Sequence, residues 1–341
     1  MESRKKIYEE WIQKSLKILK AMQDLDSESH TYGSFFKPRI SGDVTHDNAR
    51  WQEAVLSLAY EQKFFGTDNK KRINSGIDYL CKIQNRNGSF PEDMHRESAF
   101  SATSFSLHAA CEAANIVGLN EKWTQPFLSA GDWLVKNDEI ILTNQEAAAS
   151  LALLKLYKTT GIKKYLNASE SKLKKVTNNQ LQNGHYLEKR GADAGYSSLT
   201  IELLSEYHSI CPKEEIESGA RKYFKNFGEP IKNSRRTNWL IVSGFEYFSH
   251  FLDEAEAALK KFLSHENVIH LPDERHICTD LYRLFRAWFY CNKNIESENV
   301  TAFQAKPVTG GEPKHRFPFL RRIGSHKIRG ILYSWKRFQS L

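Results

Sequence analysis

The stretch QNRNGSFPEDMHRESAF, residues 84–100, decides the fold, because its pattern returns as QLQNGHYLEKRGADAGY at residues 180–196. In both stretches a Gln is followed four residues later by a Gly, and two residues after that by an aromatic residue. Gly is the residue that most readily adopts a left-handed conformation at the end of a helix. The pattern therefore predicts that Gly88 and Gly184 each end a helix and that the aromatic ring fills the turn.

Hydrophobic periodicity predicts helix after helix, with no convincing alternating strand. The twelve predicted helices are 2–23, 48–63, 70–84, 97–116, 121–136, 144–160, 163–180, 196–209, 213–227, 238–251, 254–264 and 280–291. They form six pairs, in which the first helix is amphipathic and the second is apolar on most of its surface, as a buried helix is. The second helices recur every roughly 40–50 residues, as in repeated helical hairpins. We expect an all-α fold, an (α/α)6 toroid of six helical hairpins; the alternative is an open solenoid.

The composition is that of an ordinary globular protein. The 341 residues are 40% hydrophobic and 26% charged, and no apolar run approaches the roughly 20 residues of a membrane-spanning helix. The N-terminal sequence MESRKKIYEEWIQ lacks the apolar stretch of a secretory signal. The five cysteines are scattered and show no CxxC spacing, which argues against a disulfide framework or a zinc knuckle. These features predict a cytoplasmic protein.

The net charge of +8 is concentrated at the C-terminal end. Residues 301–341 contain nine Lys or Arg and one Glu, which leaves 40 basic and 40 acidic residues in 1–300. We therefore divide the chain into a toroid domain, 1–300, and a basic tail, 301–341. In 319–341, apolar residues recur at near-helical spacing among basic ones. This pattern is typical of a terminal helix packed on the toroid, which is the favoured interpretation. The alternative is a peripheral helix on the anionic inner face of a membrane.

In such a toroid, every loop that leads into an inner helix opens on the same end of the barrel. The six loops carry more charged and amide side chains than helix capping requires, and converging polar groups are typical of a binding pocket. The candidate catalytic residues are His46, Glu97, Asp193, Tyr196 and His276. The candidate substrate-binding residues are Asn48, Arg50, Trp51, Arg96, Asn144, Gln145, Arg236, Asn238, Glu246 and Asp280.

Several of these residues also have a purely structural explanation. His46 could be a general base or a solvated loop histidine. Glu97 could be a catalytic acid, but a carboxylate at a helix start is also favoured by the helix dipole. Asp193 could act chemically or cap the helix that follows it. His276 and Asp280 lie one helical turn apart and could share a proton or simply cap.

The chain resembles a family of α/α-toroid proteins associated with bacterial and archaeal polysaccharide loci. The resemblance lies in the strings DNARWQEAVLSLAY, NGSFPE with ESAFSATSF, TNQEAAASLALLKLY, ADAGYSSLTIELLSEY and SRRTNWLIVSGFE, and it covers roughly residues 43–263. That family is similar to the toroid domains of heparinase and alginate lyases, and more distantly to terpene cyclases. The repeated pattern resembles the QW repeat of squalene–hopene cyclases, with Phe90 and Tyr186 where that repeat has Trp.

The resemblance implies a carbohydrate-active protein, a polysaccharide lyase or glycoside hydrolase, that acts on an acidic or lipid-linked glycan. In a lyase, Arg236 and Asn238 would neutralise a uronate carboxylate, because arginine offers a fork of donors. His46 or Tyr196 would then remove the neighbouring proton, and Tyr196 or His276 would protonate the leaving oxygen. The toroid lyases usually carry a β-sandwich domain as well, for which 264–341 has neither the length nor the strand pattern.

In a hydrolase, Glu97 and Asp193 would be the acid and the base, and Trp51 or Trp239 would stack on sugar rings. An isoprenoid enzyme is an alternative. The acidic DxDD run that a class II cyclase needs is absent, which argues against a cyclase. The stretch DERHICTD contains the residue types of a prenyltransferase zinc site, Asp, Cys and His. A non-catalytic glycan-binding scaffold would use the same loops. Nucleotide use is not expected, because the sequence has neither a P-loop nor a GxGxxG motif. We also expect no other cofactor and no metal. A neutral body also predicts no nucleic-acid partner.

Overall fold

The computed structural model describes the backbone of residues 2–36, 39–41, 44–92, 99–189, 191–227, 235–263 and 274–292, and the side chains of 4–36, 47–92, 99–189, 191–227, 241–263 and 274–291. The α-helices in this part of the chain are α1 (Glu2–Met22), α2 (Ala54–Phe65), α3 (Lys70–Lys82), α4 (Phe100–Val117), α5 (Glu121–Lys136), α6 (Thr143–Thr160), α7 (Lys163–Asn178), α8 (Ala194–Ile210), α9 (Glu214–Lys225), α10 (Arg235–Phe248), α11 (Asp253–Leu263) and α12 (Glu274–Asn292). A 3-10 turn, Ala49–Glu53, leads directly into α2. The predicted all-α class is confirmed.

Burial separates the helices into an inner and an outer set. α6 buries 13 of its 18 residues, whereas α7 buries only five of 16, along one stripe. The even-numbered helices are the inner ones, and each packs against the next inner helix in the chain. α12 also packs against α2, which closes the ring, and α1 packs outside against α12. The (α/α)6 toroid is therefore confirmed, and an open solenoid is excluded.

The repeated Gln-Gly pattern ties neighbouring hairpins together. Nε2 of Gln84 donates to the carbonyl oxygen of Gly88 in the turn (2.9 Å) and to that of Pro126 in α5 (2.9 Å). Nε2 of Gln180 makes the equivalent bonds, to Gly184 in its own turn (2.9 Å) and to a carbonyl oxygen of α9 (2.8 Å). One amide group therefore closes each turn and fastens it to the next outer helix, so the pattern acts as a staple.

The glycines of the staple adopt the predicted left-handed conformation, with φ +91° at Gly88 and +84° at Gly184. The aromatic rings that follow, Phe90 and Tyr186, are buried. The turn at Gly88 has no room for a side chain, because a Cβ atom there would lie 2.4 Å from the carbonyl oxygen of Ser129 in α5. The predicted structural role of both turns is confirmed.

A third copy of the staple follows α1. Nε2 of Gln23 donates to the carbonyl oxygens of Gly33 (3.4 Å) and of Arg72 in α3 (2.8 Å). Gly33 has φ +92°, and the ring of Phe35 two residues later is buried. Ten positions separate this Gln from its Gly, instead of four. Because of this longer loop, the sequence pattern did not predict the third copy.

Some predicted boundaries were wrong. α12 begins at Glu274, six residues before the predicted start, and α10 begins at Arg235. Two antiparallel hairpins were not predicted, because strands of two or three residues are too short to show alternation. They are β1 (Arg39–Ser41) with β2 (Val44–His46), and β3 (Leu187–Glu188) with β4 (Gly191–Ala192). The tail, 301–341, lies outside the described residues, so its helix and its membrane association stay predictions.

Candidate functional site at the loop-bearing end

The loop-bearing end of the toroid is the end at which the inner helices begin. All inner helices run in the same direction, because an outer helix runs back between each inner helix and the next along the chain. The β1–β2 hairpin precedes the 3-10 turn of the first inner helix, and the β3–β4 hairpin precedes α8. Both hairpins therefore lie at this end, where the predicted site residues were expected to converge.

Five predicted site residues have no described side chain. Glu97 and Arg96 lie outside the described residues altogether. His46 ends β2, and Arg236 and Asn238 lie in the first turn of α10, so their backbone is at the loop-bearing end. Their proposed roles in catalysis and substrate binding stay predictions.

The 3-10 turn before α2 places three predicted residues at the loop-bearing end. Oδ1 of Asn48 caps the turn by accepting the backbone N–H of Arg50 (3.0 Å). Trp51 is half-buried and stacks on Phe36, with the ring centroids 4.5 Å apart. The predicted binding role of these residues stays a prediction.

Asn144 binds a carboxylate that the sequence analysis did not single out. Its backbone N–H donates to Oε1 of Glu188 (3.2 Å), and its Nδ2 lies 3.2 and 3.1 Å from the two carboxylate oxygens. Burial raises the pKa of Glu188 to about 7, Asp193 and Glu139 add to the rise, and the Asn144 bonds oppose it. Glu188 thereby fastens the β3–β4 hairpin to the start of α6. Gln145, the next residue of that helix, is half-buried.

The start of α8 confirms the capping explanation for Asp193, whose Oδ1 accepts the backbone N–H of Tyr196 (2.8 Å). The side chain of Tyr196 is 46% exposed, so its ring does not belong to the core. His276 lies half-buried in the first turn of α12. The catalytic roles of these three residues stay predictions.

Glu246 lies away from the other predicted site residues. Eleven positions separate it from the start of α10, which corresponds to about 16 Å along the helix. Its Oε1 accepts the Tyr8 hydroxyl (2.6 Å) and lies 3.4 Å from Nε of Arg4, both in α1. Glu246 therefore joins α10 to an outer helix at the end opposite the loops.

A cluster of charged side chains fills the middle of the ring, and we refer to it as the axial cluster. Its members are Arg50, Glu53, His108, Glu112, Lys155, Glu202, Glu206, Asp280, Arg283 and Arg286. Side chains of α4 meet those of α8, and side chains of α8 meet those of α12, although another inner helix separates each pair. These contacts therefore cross the axis of the toroid.

The upper part of the axial cluster, nearest the loop-bearing end, centres on Glu53. This carboxyl group is fully buried; its Oε1 accepts Nε of Arg50, while its Oε2 has no hydrogen-bond partner among the described residues. Arg283 contacts Asp280 (2.9 Å) and Glu202 (3.0 Å). Burial raises the pKa of Glu53 above its ordinary value, Asp280 adds to the rise, and Arg50 and Arg283 oppose it.

The lower part of the axial cluster is saturated with ion pairs around Glu206. Its carboxylate oxygens lie 2.8 Å from Arg286, 2.9 Å from Lys155 and 3.0 Å from His108. Although burial opposes ionisation, these three groups hold the pKa of Glu206 well below its ordinary value. Lys155 also contacts Glu112 (2.6 Å). Oε1 of Glu206 also lacks a hydrogen bond among the described residues, but it is ion-paired with Lys155, whereas Oε2 of Glu53 has neither contact there.

The sequence analysis did not predict most of the axial cluster, because it considered the residues in the loops. The sequence feature that could have indicated the cluster is the presence of charged residues inside otherwise apolar helices. Glu202 and Glu206 are four residues apart in LTIELLSEY, and Asp280, Arg283 and Arg286 are three apart in DLYRLFRAW. Both spacings place the charges on one face of a helix. An apolar helix with one charged stripe indicates a polar layer inside the fold.

Within the described residues, no three His, Cys, Asp or Glu side chains are grouped so that they could hold a metal ion. In the same part of the chain, no helix is long and apolar enough to cross a bilayer.

No protein-family model matches the sequence, and no curated protein matches it with significance. The fold does match solved structures. An α-1,6-mannanase from a Salegentibacter species superposes with a TM-score of 0.60 and 9% identity, over 83% of this chain and 99% of that chain. An unsaturated glucuronyl hydrolase mutant from Streptococcus agalactiae superposes with a TM-score of 0.59 and 16% identity, over 84% of this chain and 91% of that chain. A D-mannose isomerase superposes with a TM-score of 0.58 and 13% identity, over 84% of this chain and 97% of that chain.

At these identities the comparisons show a shared toroid fold. The resemblance to squalene–hopene cyclases stays a prediction. Inactive variants of the mannanase carry replacements of two neighbouring aspartates. The present sequence contains no two adjacent aspartates.

Proposed function

We propose that the protein is a glycoside hydrolase that acts on a glycan bound at the loop-bearing end, with Glu53 as its proton donor. The observation that carries the proposal is the buried carboxyl of Glu53, with its raised pKa and an oxygen that has no described partner. Strongly perturbed carboxyl groups next to specific charges are typical of catalytic sites. The fold supports the same class, because the similar mannanase and glucuronyl hydrolase are glycan-active enzymes by name.

The proposed reaction needs one carboxylic acid and one carboxylate. Protonated Glu53 donates its proton to the glycosidic oxygen while the bond between that oxygen and the anomeric carbon breaks. A water molecule adds to the anomeric carbon, and Asp280, whose charge acts on Glu53, accepts the water proton. One water is consumed and one new reducing end is formed. The raised pKa keeps more of Glu53 protonated at neutral pH than an ordinary glutamate would be.

Glu97 and Asp193 remain the second pair proposed for the acid and the base. The cap that Asp193 provides to α8 leaves its second carboxylate oxygen for another role. Because the chain lacks the adjacent aspartates of the mannanase, its carboxylates must come from other positions. A lyase is the second candidate function, supported by the exposed Tyr196 ring at the loop-bearing end. An acidic or lipid-linked glycan, and a peripheral place at the membrane through 319–341, belong to the same proposal.

The test compares the full chain with two matched variants, Glu53→Gln and Glu61→Gln. Glu61 is also a buried carboxyl on α2, two turns further from the loops, where it contacts Lys20 (2.7 Å) and Asn69 (2.8 Å). The substrates are a panel of uronate-containing and neutral polysaccharides, and the assay follows reducing ends together with the absorbance of unsaturated sugars.

We expect wild type to release reducing ends without that absorbance. Glu53→Gln should reduce the rate by roughly 10²- to 10⁴-fold, the usual contribution of a general acid. Glu61→Gln should stay within a few-fold of wild type. Full activity of a folded Glu53→Gln variant would refute the proposed role, and a rise in absorbance would establish a lyase instead.

A further inference from the structure

Arg50 has the geometry of a preformed anion receptor. It lies in the 3-10 turn at the loop-bearing end, and its side chain is 11% exposed. Nε donates to Glu53, and the guanidinium carbon lies 4.1 Å from the centroid of the Phe105 ring. These two contacts hold the guanidinium group in one orientation.

The terminal nitrogens of Arg50 have no hydrogen-bond acceptor among the described residues. No described residue accepts a hydrogen bond from Nη1 or Nη2, and neither atom is among the fully buried unsatisfied atoms. The other arginines of the axial cluster have at least one terminal nitrogen engaged: Nη1 of Arg283 contacts Asp280 (2.9 Å), and Nη1 of Arg286 contacts Glu202 (2.5 Å) and Glu206 (2.8 Å). Arg50 therefore presents two terminal donors that no described residue occupies.

The charges that act on Arg50 are of both signs. Glu53 and Glu92 are the carboxylates that act on Arg50, and Arg283 adds a second positive charge. Glu92 is also engaged by the Ser101 hydroxyl and lies 3.9 Å from Arg275. A planar guanidinium with two free terminal nitrogens binds a carboxylate or a phosphate in a bidentate manner.

We propose that Arg50 recognises an anionic group of the glycan, a carboxylate or a phosphate, so that the substrate is an acidic or phosphorylated saccharide. This inference rests on the proposed function and names its substrate class. Because the same guanidinium holds Glu53, the bound anion sits next to the carboxyl that is proposed to donate the proton. Recognition and catalysis are thereby linked through one side chain.

The test is calorimetric titration of the full chain at pH 8 with glucuronate, glucose 1-phosphate and glucose. We expect one of the two anionic sugars to bind more tightly than glucose. Tighter binding of glucuronate would identify a carboxylate as the recognised group, and tighter binding of glucose 1-phosphate would identify a phosphate. Arg50→Lys keeps the positive charge but loses the two parallel N–H donors of the guanidinium group. This variant should weaken the binding of that sugar by roughly 10- to 100-fold. Unchanged binding to Arg50→Lys, or equal binding of glucose, would overturn the inference.

Two further variants control the result. Arg72→Lys alters an arginine of α3 that contacts the Lys20 carbonyl (3.1 Å) and Gln23 (3.2 Å), and it should bind like wild type. Glu53→Gln removes a carboxyl group that competes for Arg50 in its ionised form, so anionic sugars should bind several-fold more tightly to this variant at pH 8. This opposite effect remains measurable if Arg50→Lys fails to fold, and weaker binding to Glu53→Gln would contradict the inference.

The binding and hydrolysis experiments fail in different ways. If anionic sugars bind through Arg50 but Glu53→Gln keeps its hydrolytic activity, only the proposed reaction is refuted. If Glu53 is required to cleave neutral glycans and anionic sugars bind no more tightly than glucose, only the role of Arg50 is refuted.

Discussion

Replacing Gly88 by Ala should destabilise the toroid strongly, because two costs add at this staple. The backbone has φ +91°, which a residue with a Cβ atom adopts at a cost of about 1–3 kcal/mol. The new Cβ would lie 2.4 Å from the carbonyl oxygen and 2.8 Å from the carbonyl carbon of Ser129, so the backbone of α5 must move. Overpacking of this kind costs about 1–3 kcal/mol. We expect a total loss of about 2–6 kcal/mol.

Gly66→Ala is the matched control. Gly66 ends α2 with φ +73°, and nothing lies within 4 Å of its Cβ position, so only a backbone cost of about 1–2 kcal/mol applies. Both substitutions reduce the flexibility of the unfolded chain equally, so this contribution cancels. Urea denaturation followed by circular dichroism measures both variants. If Gly88→Ala and Gly66→Ala unfold at the same urea concentration, the staple does not constrain the toroid as argued.

Two further predictions concern buried carboxyl groups. Glu206→Gln should reduce the free energy of unfolding by about 3–5 kcal/mol, because Arg286 and Lys155 lose their buried carboxylate partner. Glu217→Gln, in an exposed pair, should change it by less than about 1 kcal/mol. Equal urea midpoints would contradict this. The pKa of Glu188 in the folded state, about 7, lies above its ordinary value of 4.5. Between pH 4.5 and pH 7 the folded state therefore binds more protons than the unfolded state. Wild type should therefore lose stability relative to Glu188→Gln as the pH rises from about 4.5 to about 7, and a pH-independent difference in urea midpoint would refute the shift.

The sequence by itself determined the architecture. Six alternations of amphipathic and apolar helices predict inner and outer layers, because periodicity reports which faces are buried. The turns at Gly88 and Gly184 were predictable as well, since a left-handed turn needs a particular residue at a particular place. The same local reasoning located the end of the toroid at which the polar loops gather. It missed the staple at Gly33, where a longer loop changes the spacing without changing the contacts.

Only the tertiary structure decided which polar groups act together. Glu53, Glu202 and Arg283 are charged positions in otherwise apolar segments, and nothing in their local sequence says which charges of other helices they meet. They become partners because closure of the ring brings α2, α8 and α12 around one axis. The perturbed pKa of Glu53 arises in the same way, from burial and from charges distant in sequence. Local sequence specifies turns and helix faces, whereas the meeting of charges across the axis is a property of the closed toroid.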